Sequence, residues 1–263
     1  MSIVGQIESL WRYPVKSMRG EELVEAFVGF SGVYGDRVFA FRSSGRPKGF
    51  PYLTGREHEQ LLLYRPRFRD PDAAARPPDL DEAESIAPGL NARFADPADL
   101  ALEVETPSGR VLAVDDPALM RMLAERIRSD HTLALLRSER AMTDCRPISL
   151  FSIQTVRQLG DELGTALDKR RFRANVYMDL GSAAGFSEDG FVGQTLRLGP
   201  KVVVSIVERD RRCKMITLDP DTAEASPDIL RRITRAHGGM AGVYGAVLVE
   251  GAVRQGDDIE LLG

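Results

Sequence analysis

Alternating apolar and polar positions run through roughly the first 65 residues and predict β-strands there. Residues 3–10 and 23–28 partly alternate, and residues 38–41 form a short apolar run. Glycine and proline interrupt them at short intervals, which favours a meander or a small barrel. Residues 66–99 break the pattern, because they are rich in proline, aspartate and alanine. Their composition predicts a long, mobile surface excursion.

The rest of the chain mixes helical and strand patterns. Asp116 and Pro117 predict the start of a helix, because aspartate can cap a first turn and proline has no useful N–H to lose there. Two more helices are predicted over residues 155–163 and 227–235, the second with Ser226 as its cap. Further strands are predicted over residues 102–104, 111–114, 132–136, 172–178, 202–207, 243–249 and 258–262.

Together these elements predict a fold that is mainly β with a few helices (α+β). A length of 263 residues suits one large domain or two small ones that share an interface. We expect two domains that join near residue 115, the first covering residues 1–115 and the second residues 116–263.

Charge and hydropathy narrow the classes of function. The chain has 35 basic and 39 acidic residues, and this balance does not indicate a nucleic-acid or membrane partner. No apolar run approaches the roughly 18 residues of a membrane-spanning helix. The N-terminal segment lacks the basic and apolar regions of a signal peptide, which predicts a cytoplasmic protein. Any positively charged site must be local, made by a few converging side chains.

The cysteine and histidine content limits metal chemistry. The chain contains two cysteines, Cys145 and Cys213, and three dispersed histidines, so neither a disulfide framework nor a Cys-x-x-Cys site is expected. Cys213 lies in the segment Glu208–Lys214, where three arginines and a lysine flank it. Cationic neighbours favour the thiolate, which is a nucleophile and a soft-metal ligand. A free cysteine can equally be a small buried apolar residue, and the local sequence leaves both interpretations open.

Four further motifs could carry chemistry, although each also has an ordinary structural interpretation. Lys16 and Ser17 follow the first strand and could contact an anion, but a solvated lysine is the usual outcome. Arg37 could fork onto a phosphate with Asp36 holding it, or form a surface ion pair. In the predicted strand over residues 172–178, Arg173 and Asn175 would share one face, where they could bind a polar ligand or satisfy backbone groups. Asp219-Pro220-Asp221-Thr222 is by itself a turn.

Taken together and in this order, the motifs resemble the MOSC proteins, specifically the branch with an N-terminal β-barrel domain. The mitochondrial amidoxime-reducing component and its bacterial relatives belong to that branch. The resemblance implies an N-terminal β-barrel-like domain packed on a C-terminal MOSC β-barrel domain. The segments that carry it are Tyr13–Ser17, Gly35–Arg37, Phe172–Asn175 and Arg212–Thr222, with a similar closing hairpin over Gly242–Gly245 and Val253–Asp257.

The resemblance also implies a cofactor, the molybdenum cofactor (Mo-molybdopterin), and a role for each matched residue. Cys213 would be the single protein thiolate on molybdenum, because the cofactor supplies two dithiolene sulfurs itself. Asp219 would lie near the metal and influence proton delivery. The cofactor would be held by two groups of residues, its phosphate end by Lys16, Ser17 and Arg37, and its pterin or phosphate by Arg173 and Asn175.

The chain departs from the family pattern at two places. Ala174 stands where relatives usually have proline, which should change little beyond local stiffness. Cys145 and Arg146 stand where relatives of the mitochondrial type carry two small hydroxyl residues that contact the cofactor. Arg146 would either replace those contacts with a charge or narrow the substrate entrance, so the resemblance does not extend to fine specificity.

The function implied is a molybdenum-dependent oxidoreductase that reduces N-hydroxylated compounds such as amidoximes, hydroxylamines and N-hydroxy bases. Electrons would come from a separate redox partner, a flavin reductase or an iron–sulfur or haem protein, because the chain lacks the cysteines for an iron–sulfur cluster of its own. Two alternatives are a sulfur carrier that holds a persulfide on Cys213 and a non-catalytic cofactor-binding protein.

Overall fold

The computed structural model describes residues 2–86, 100–138 and 140–262. Its helices are α1 (Leu80–Ile86), α2 (Pro117–Ala124), α3 (Ile153–Leu163) and α4 (Pro227–His237). Its strands are β1 (Ser2–Arg12), β2 (Glu21–Leu23), β3 (Glu25–Gly29), β4 (Gly32–Val33), β5 (Phe39–Ser43), β6 (Arg65–Phe68), β7 (Leu102–Glu105), β8 (Val111–Ala113), β9 (Leu133–Arg137), β10 (Ile148–Ser152), β11 (Val176–Asp179), β12 (Thr195–Leu198), β13 (Val202–Arg211), β14 (Met240–Val249), β15 (Gly251–Arg254) and β16 (Asp258–Leu262). The predicted fold class, mainly β with a few helices, is confirmed.

Seven strands form a closed barrel in the order β11-β10-β14-β13-β12-β16-β1, and the pairing of β1 with β11 closes it. Every neighbouring pair is antiparallel except β10 and β11, which are parallel. Inward-facing aliphatic side chains fill the barrel, because alternate residues of each strand point to one face. They include Leu10, Leu150, Val176, Val204 and Val243, all fully buried.

Three smaller sheets lie outside the barrel and pack mostly on a second core. They are β15-β3-β4, β5-β9 and β6-β7-β8. The second core draws on residues between Val15 and Leu135, with Phe39, Phe41 and Leu119 at its centre. Its side chains come mainly from the part of the chain predicted to form the N-terminal domain.

Strand pairing does not follow the predicted division at residue 115. The N-terminal strand β1 belongs to the barrel, although the rest of the barrel begins at Ile148. Conversely, strand β15, which comes from the C-terminal part of the chain, pairs with the N-terminal strand β3. Strands from the two sides of residue 115 thus pair with each other in two of the sheets, and the division into two domains stays a prediction.

The predicted excursion over residues 66–99 is corrected for the residues that the structure describes. Residues 66–68 belong to β6, which pairs with β7, and the ring of Phe68 is buried under the guanidinium of Arg12 at 4.7 Å. Ala74 is also buried, and its carbonyl accepts a hydrogen bond from Arg12. Residues 80–86 are helical, and residues 87–99 lie outside the described part of the chain.

The helices begin and end at local signals. Asp116 caps α2 by accepting a hydrogen bond from the backbone N–H of Ala118 at 2.7 Å, as predicted. Helix α3 ends at Gly164, which has a φ of 69°, a conformation that glycine adopts without strain. Ser226 precedes α4 at the predicted position, but its hydroxyl makes no capping hydrogen bond. None of the helices in the described ranges has the length and hydrophobicity needed to span a bilayer.

A partly buried carboxylate joins α3 to α4. Glu162 lies 2.9 Å from Nε2 of His237 and accepts hydrogen bonds from Arg232 at 2.8 Å and Gln158 at 3.0 Å. Burial alone would raise the pKa of Glu162, but these hydrogen bonds lower it to about 2.

This arrangement predicts an acid-labile contact between α3 and α4. A carboxyl whose pKa is lower in the folded state stabilises the fold at high pH, and that stability is lost as pH falls through the folded pKa. The free energy of unfolding should therefore decrease between about pH 5 and pH 2, and Glu162→Gln should make that decrease smaller. Urea titrations at several pH values measure it; an unchanged pH dependence in the variant would show that the contact contributes nothing.

Candidate functional site

A cavity of about 460 Å³ opens at the end of the barrel where β1 and β13 leave it. Much of its wall comes from four segments of the chain: the loop after β1, residues 143–149, residues 171–175 and residues 210–216. The remaining lining residues are Arg37, Phe50, Thr54, Arg56 and Tyr244. Six of the seven residues predicted from the sequence line it together: Lys16, Ser17, Arg37, Arg173, Asn175 and Cys213. The tertiary structure thus brings together positions that are up to about 200 residues apart in the chain.

Three of these residues have a left-handed backbone. The φ angles are 67° at Ser17, 49° at Arg37 and 54° at Arg173. Among the described residues, only Phe186 and Ala223 share this conformation without being glycine. Non-glycine residues in this region cost of the order of 1–3 kcal/mol each and concentrate at functional sites. The backbone therefore places the predicted anion-binding side chains at a local conformational cost.

Lys16 is buried in the cavity wall, although its side chain is charged. Its ammonium donates to the carbonyl of Met142 at 2.7 Å and to the carboxylate of Asp144, and it lies 4.8 Å from the ring centroid of Tyr52. Burial lowers the pKa of Lys16, and the positive charges of Arg37 and Arg173 lower it further, while Asp144 opposes them.

Arg37 is held by a buried acid and an aromatic ring. Its guanidinium pairs with Asp36, which is 1% exposed, and lies 4.8 Å from the ring centroid of Tyr13. The same carboxylate accepts the backbone N–H of Tyr13 at 2.8 Å. Burial alone would lower the pKa of Arg37, but Asp36 and Tyr13 raise it. The guanidinium is therefore fixed in position and permanently charged.

Arg173 lies on the same ring without a carboxylate partner in the described part of the chain. Its guanidinium is 4.2 Å from the ring centroid of Tyr13, and its buried Nη2 has no hydrogen-bond acceptor among those residues. Burial and the charge of Arg37 lower the pKa of Arg173 to about 10. A buried, charged donor without a partner is costly, so an anion in the cavity would relieve this site.

The predicted strand over residues 172–178 is corrected. A short 3₁₀ turn over Lys169–Phe172 and the left-handed Arg173 replace its first half, and β11 begins only at Val176. Arg173 and Asn175 therefore do not share a strand face, although both line the cavity. Asp168 caps the turn by accepting the backbone N–H of Arg170 at 2.8 Å. The carbonyl of Arg173 accepts a hydrogen bond from Arg37 at 3.3 Å, a long-range contact that local spacing does not encode.

Asn175 is engaged with the protein itself. Its side-chain oxygen accepts hydrogen bonds from the backbone N–H and the hydroxyl of Ser149, and its amide nitrogen donates to the carbonyl of Trp11 at 3.3 Å. The residue is 1% exposed. It connects β1, β10 and β11, so of its two predicted interpretations the structure favours the satisfaction of internal backbone groups.

Cys213 stands at the end of β13, where the chain enters the 3₁₀ turn Lys214–Thr217. The residue is half-buried, and its carbonyl accepts the backbone N–H of Ile216 at 3.2 Å. Its neighbour Arg212 is anchored by the carbonyls of Ala241 at 2.7 Å and Phe172 at 2.9 Å. These contacts hold the cysteine in the wall of the cavity beside a fixed positive charge.

Asp219 does not line the cavity. Its carboxylate accepts hydrogen bonds from Arg171 at 2.7 Å and from the backbone N–H groups of Asp221 and Thr222, both at 3.0 Å. Burial alone would raise the pKa of Asp219, but these contacts lower it. The carboxylate holds Arg171 and closes the turn, and the predicted role of Asp219 near the metal stays a prediction.

Sequence reasoning missed Asp210, which does line the cavity. Its carboxylate is 2.9 Å from Arg212 and accepts a hydrogen bond from the hydroxyl of Tyr244 on β14. Burial raises the pKa of Asp210 to about 6, although Arg212 and Tyr244 act in the opposite direction. The strand alternation of β13 was the available signal, because Asp210 falls on a buried position of that strand.

Cys145 and Arg146, which form the second departure from the family pattern, also line the cavity. The residue Cys145 is exposed as a whole. Partial burial of its thiol, together with the negative charges of nearby carboxylates, raises the pKa of that thiol. Arg146 pairs with Glu208 at 2.7 Å, and both side chains are roughly half exposed. The arginine is therefore neutralised at the rim of the cavity.

These residues fit a molybdopterin phosphate. The unpartnered Nη2 of Arg173, together with Lys16 and Arg37, provides converging donors for a dianion. No three His, Cys, Asp or Glu side chains converge into a metal site within the described ranges. The protein would thus contribute the single thiol of Cys213 to the metal and the cationic wall to the phosphate.

Comparison with known families identifies the family of this chain. The MOSC domain profile matches residues 137–260, and the profile of the MOSC N-terminal beta barrel domain matches residues 4–85. The chain belongs to the MOSC family. This MOSC protein is 27% identical over 213 residues to a molybdenum cofactor sulfurase of Drosophila persimilis. The aligned region is 73% of the chain but only 25% of that relative, so the chain spans about a quarter of its length.

Two solved structures are also similar to this MOSC protein. The YuaD protein of Bacillus subtilis is 13% identical, covers 98% of the chain with 94% of its own, and gives a TM-score of 0.47. YiiM of Geobacillus stearothermophilus is 19% identical and gives a TM-score of 0.35, with 44% of this chain and 54% of YiiM aligned.

The unpartnered guanidinium predicts that inorganic phosphate stabilises the cofactor-free protein. A ligand that binds only the native state raises the free energy of unfolding, by about 2.7 kcal/mol at a hundred times its Kd. The melting temperature should rise with phosphate at constant ionic strength. Arg173→Met should remove most of the rise, whereas Arg110→Met, at an exposed arginine outside the cavity, should keep it. Equal rises in both variants would place phosphate elsewhere.

Proposed function

We propose that this MOSC protein is a molybdenum-cofactor-dependent oxidoreductase that reduces N-hydroxylated compounds. The observation that carries the proposal is the cavity, which combines one half-buried thiol at Cys213 with a cationic wall that contains the unpartnered Nη2 of Arg173. A cofactor with its own dithiolene sulfurs and a phosphate requires these two features from the protein and few others.

The residues divide between anchoring the cofactor and ligating its metal. Lys16, Arg37 and Arg173 would hold the phosphate, because charge-assisted hydrogen bonds to phosphate are the strong ones. Ser17 would add its hydroxyl from the same loop. Cys213 would be the thiolate ligand of the metal. When bound, the cofactor supplies two-electron oxygen-atom-transfer chemistry, and the protein supplies position and electrostatics.

Reduction of a hydroxylamine to an amine consumes two electrons and two protons and releases the oxygen as water. The electrons would come from a separate flavin, iron–sulfur or haem protein. The protons need a group at the cavity that can hold one near neutral pH, and Asp210 meets this requirement better than Asp219. Asp210 sits three residues before Cys213, and Tyr244 and Arg212 hold it in place.

A sulfur carrier is the second candidate, and the similarity to a molybdenum cofactor sulfurase favours it. In that function Cys213 would hold a persulfide, with no turnover of N-hydroxy compounds. The half-buried thiol beside fixed positive charge is compatible with both functions. The anion-binding wall favours the reductase, because a persulfide needs no buried arginines for a phosphate.

Replacement of the two cysteines separates these functions. With dithionite-reduced viologen as donor, the wild type should reduce benzamidoxime, and Cys213→Ala should lose roughly a hundredfold or more of that activity while keeping part of its pterin. Cys145→Ala should retain most of the activity. Elemental analysis should find about one molybdenum per chain in the wild type. A wild type without reductase activity, whose intact mass shows an extra sulfur on Cys213, would establish the carrier instead.

The pKa of Asp210 predicts the pH dependence of the reductase. Its carboxyl donates a proton only in its neutral form, so kcat/KM should rise as pH falls through about 6. Asp210→Asn cannot titrate and should lack this rise while keeping its hydrogen-bonding shape. Rates per bound molybdenum between about pH 5 and pH 8 test this. An identical profile in the variant would return Asp210 to a purely structural role.

A further inference from the structure

The charges lining the cavity do not balance. Eight lysine and arginine side chains contribute to its wall, and five of them have a carboxylate partner. Two of these carboxylates, Asp144 and Asp210, line the cavity themselves, and the other three are not among its lining residues. The five pairs are Lys16–Asp144, Arg37–Asp36, Arg146–Glu208, Arg171–Asp219 and Arg212–Asp210.

Three arginines of the wall have no carboxylate within ion-pair distance among the described residues: Arg56, Arg173 and Arg211. They differ in burial. Arg173 has a buried guanidinium nitrogen. It lies with Arg37 on the ring of Tyr13, and both arginines belong to the buried cluster that we propose holds the phosphate. Arg56 and Arg211 are exposed, so they stand at the mouth. A phosphate held by the buried cluster leaves the two arginines at the mouth unneutralised.

Both arginines lie at the Cys213 end of the cavity. Arg211 is two residues before Cys213 on the same strand end. The loop of Arg56 packs on the turn after Cys213, since Lys214 donates to the carbonyl of Arg56 at 3.4 Å. The fit is close, because a Cβ on Gly55 would come within 2.5 Å of the sulfur of Met215. Both exposed arginines therefore line the same cavity wall as Cys213 and lie near it.

A concave, low-dielectric wall concentrates the field of such charges and attracts anions. We propose that Arg56 and Arg211 form a substrate subsite that selects N-hydroxylated compounds carrying an anionic group, a carboxylate or a phosphate. The inference rests on the proposed reductase function and names its substrate class. Arg146, the third arginine at the rim, differs from these two because it is paired with Glu208. It therefore adds no preference for an anionic substrate.

Three substrates of matched shape test the subsite: benzamidoxime, its 4-carboxylate and its 4-trimethylammonium derivative. The wild type should show a kcat/KM for the carboxylate roughly three- to tenfold above that of the neutral compound, and a value below it for the cation. Arg56→Gln and Arg211→Gln should each reduce the carboxylate-to-neutral ratio, and the double variant should bring it to about one. Arg110→Gln, at an exposed arginine outside the cavity, should leave the ratio unchanged. A 4-phosphonate arm shows whether a dianion is preferred to a carboxylate.

The carboxylate-to-neutral ratio of kcat/KM does not depend on how much cofactor each variant contains. Molybdenum analysis measures that content separately. Calorimetric binding of the 4-carboxylate to the oxidised, cofactor-loaded protein gives a second readout without turnover, and the double variant should bind it more weakly. Equal ratios in wild type and double variant, or loss of molybdenum from the double variant, would overturn the subsite. Absence of turnover with all substrates would instead contradict the proposed function, while the binding measurement would still decide on the subsite.

Discussion

The pairing of β1 with β11 is the contact on which the rest of the structure depends. It closes the barrel, and it continues past the strands, where the backbone N–H of Trp11 donates to the carbonyl of Asn175 at 2.8 Å. Asn175 extends the same junction to Ser149 on β10. Because the chain leaves β1 at this point, Tyr13 and the loop that follows it are placed at the open end of the barrel. The cavity is thus a consequence of barrel closure.

Forming the cavity costs free energy when no anion is bound in it. Tyr13 lies near two guanidinium groups, those of Arg37 and Arg173, and the second has no carboxylate of its own among the described residues. Like charges in a buried site repel and lose solvation, and a left-handed backbone adds local strain. A bound phosphate would offset part of these terms, so cofactor binding and folding stability should be thermodynamically linked. The same linkage makes the wall specific, because a neutral ligand relieves none of the repulsion.

The proton-handling groups illustrate how a motif and its geometry can disagree. Asp219 belongs to the recognisable motif, yet its carboxylate holds Arg171 and closes a turn. Asp210 belongs to no motif, yet it lines the cavity beside Arg212 and Tyr244. The difference arises because titration behaviour depends on burial and on neighbours from other strands, and these neighbours are set by the barrel.

The sequence by itself determined the features that local interactions encode. Strand alternation located most of the strands, and the cap at Asp116 was predictable because its hydrogen bond spans two residues. The motif residues also predicted six of the cavity's lining side chains. Tertiary structure alone decided the membership of β1 in the barrel, the left-handed turn at Arg173 and the exclusion of Asp219 from the cavity. Each depends on contacts between residues far apart in the chain, such as the hydrogen bond from Arg37 to Arg173, and their free energy overrides the local pattern.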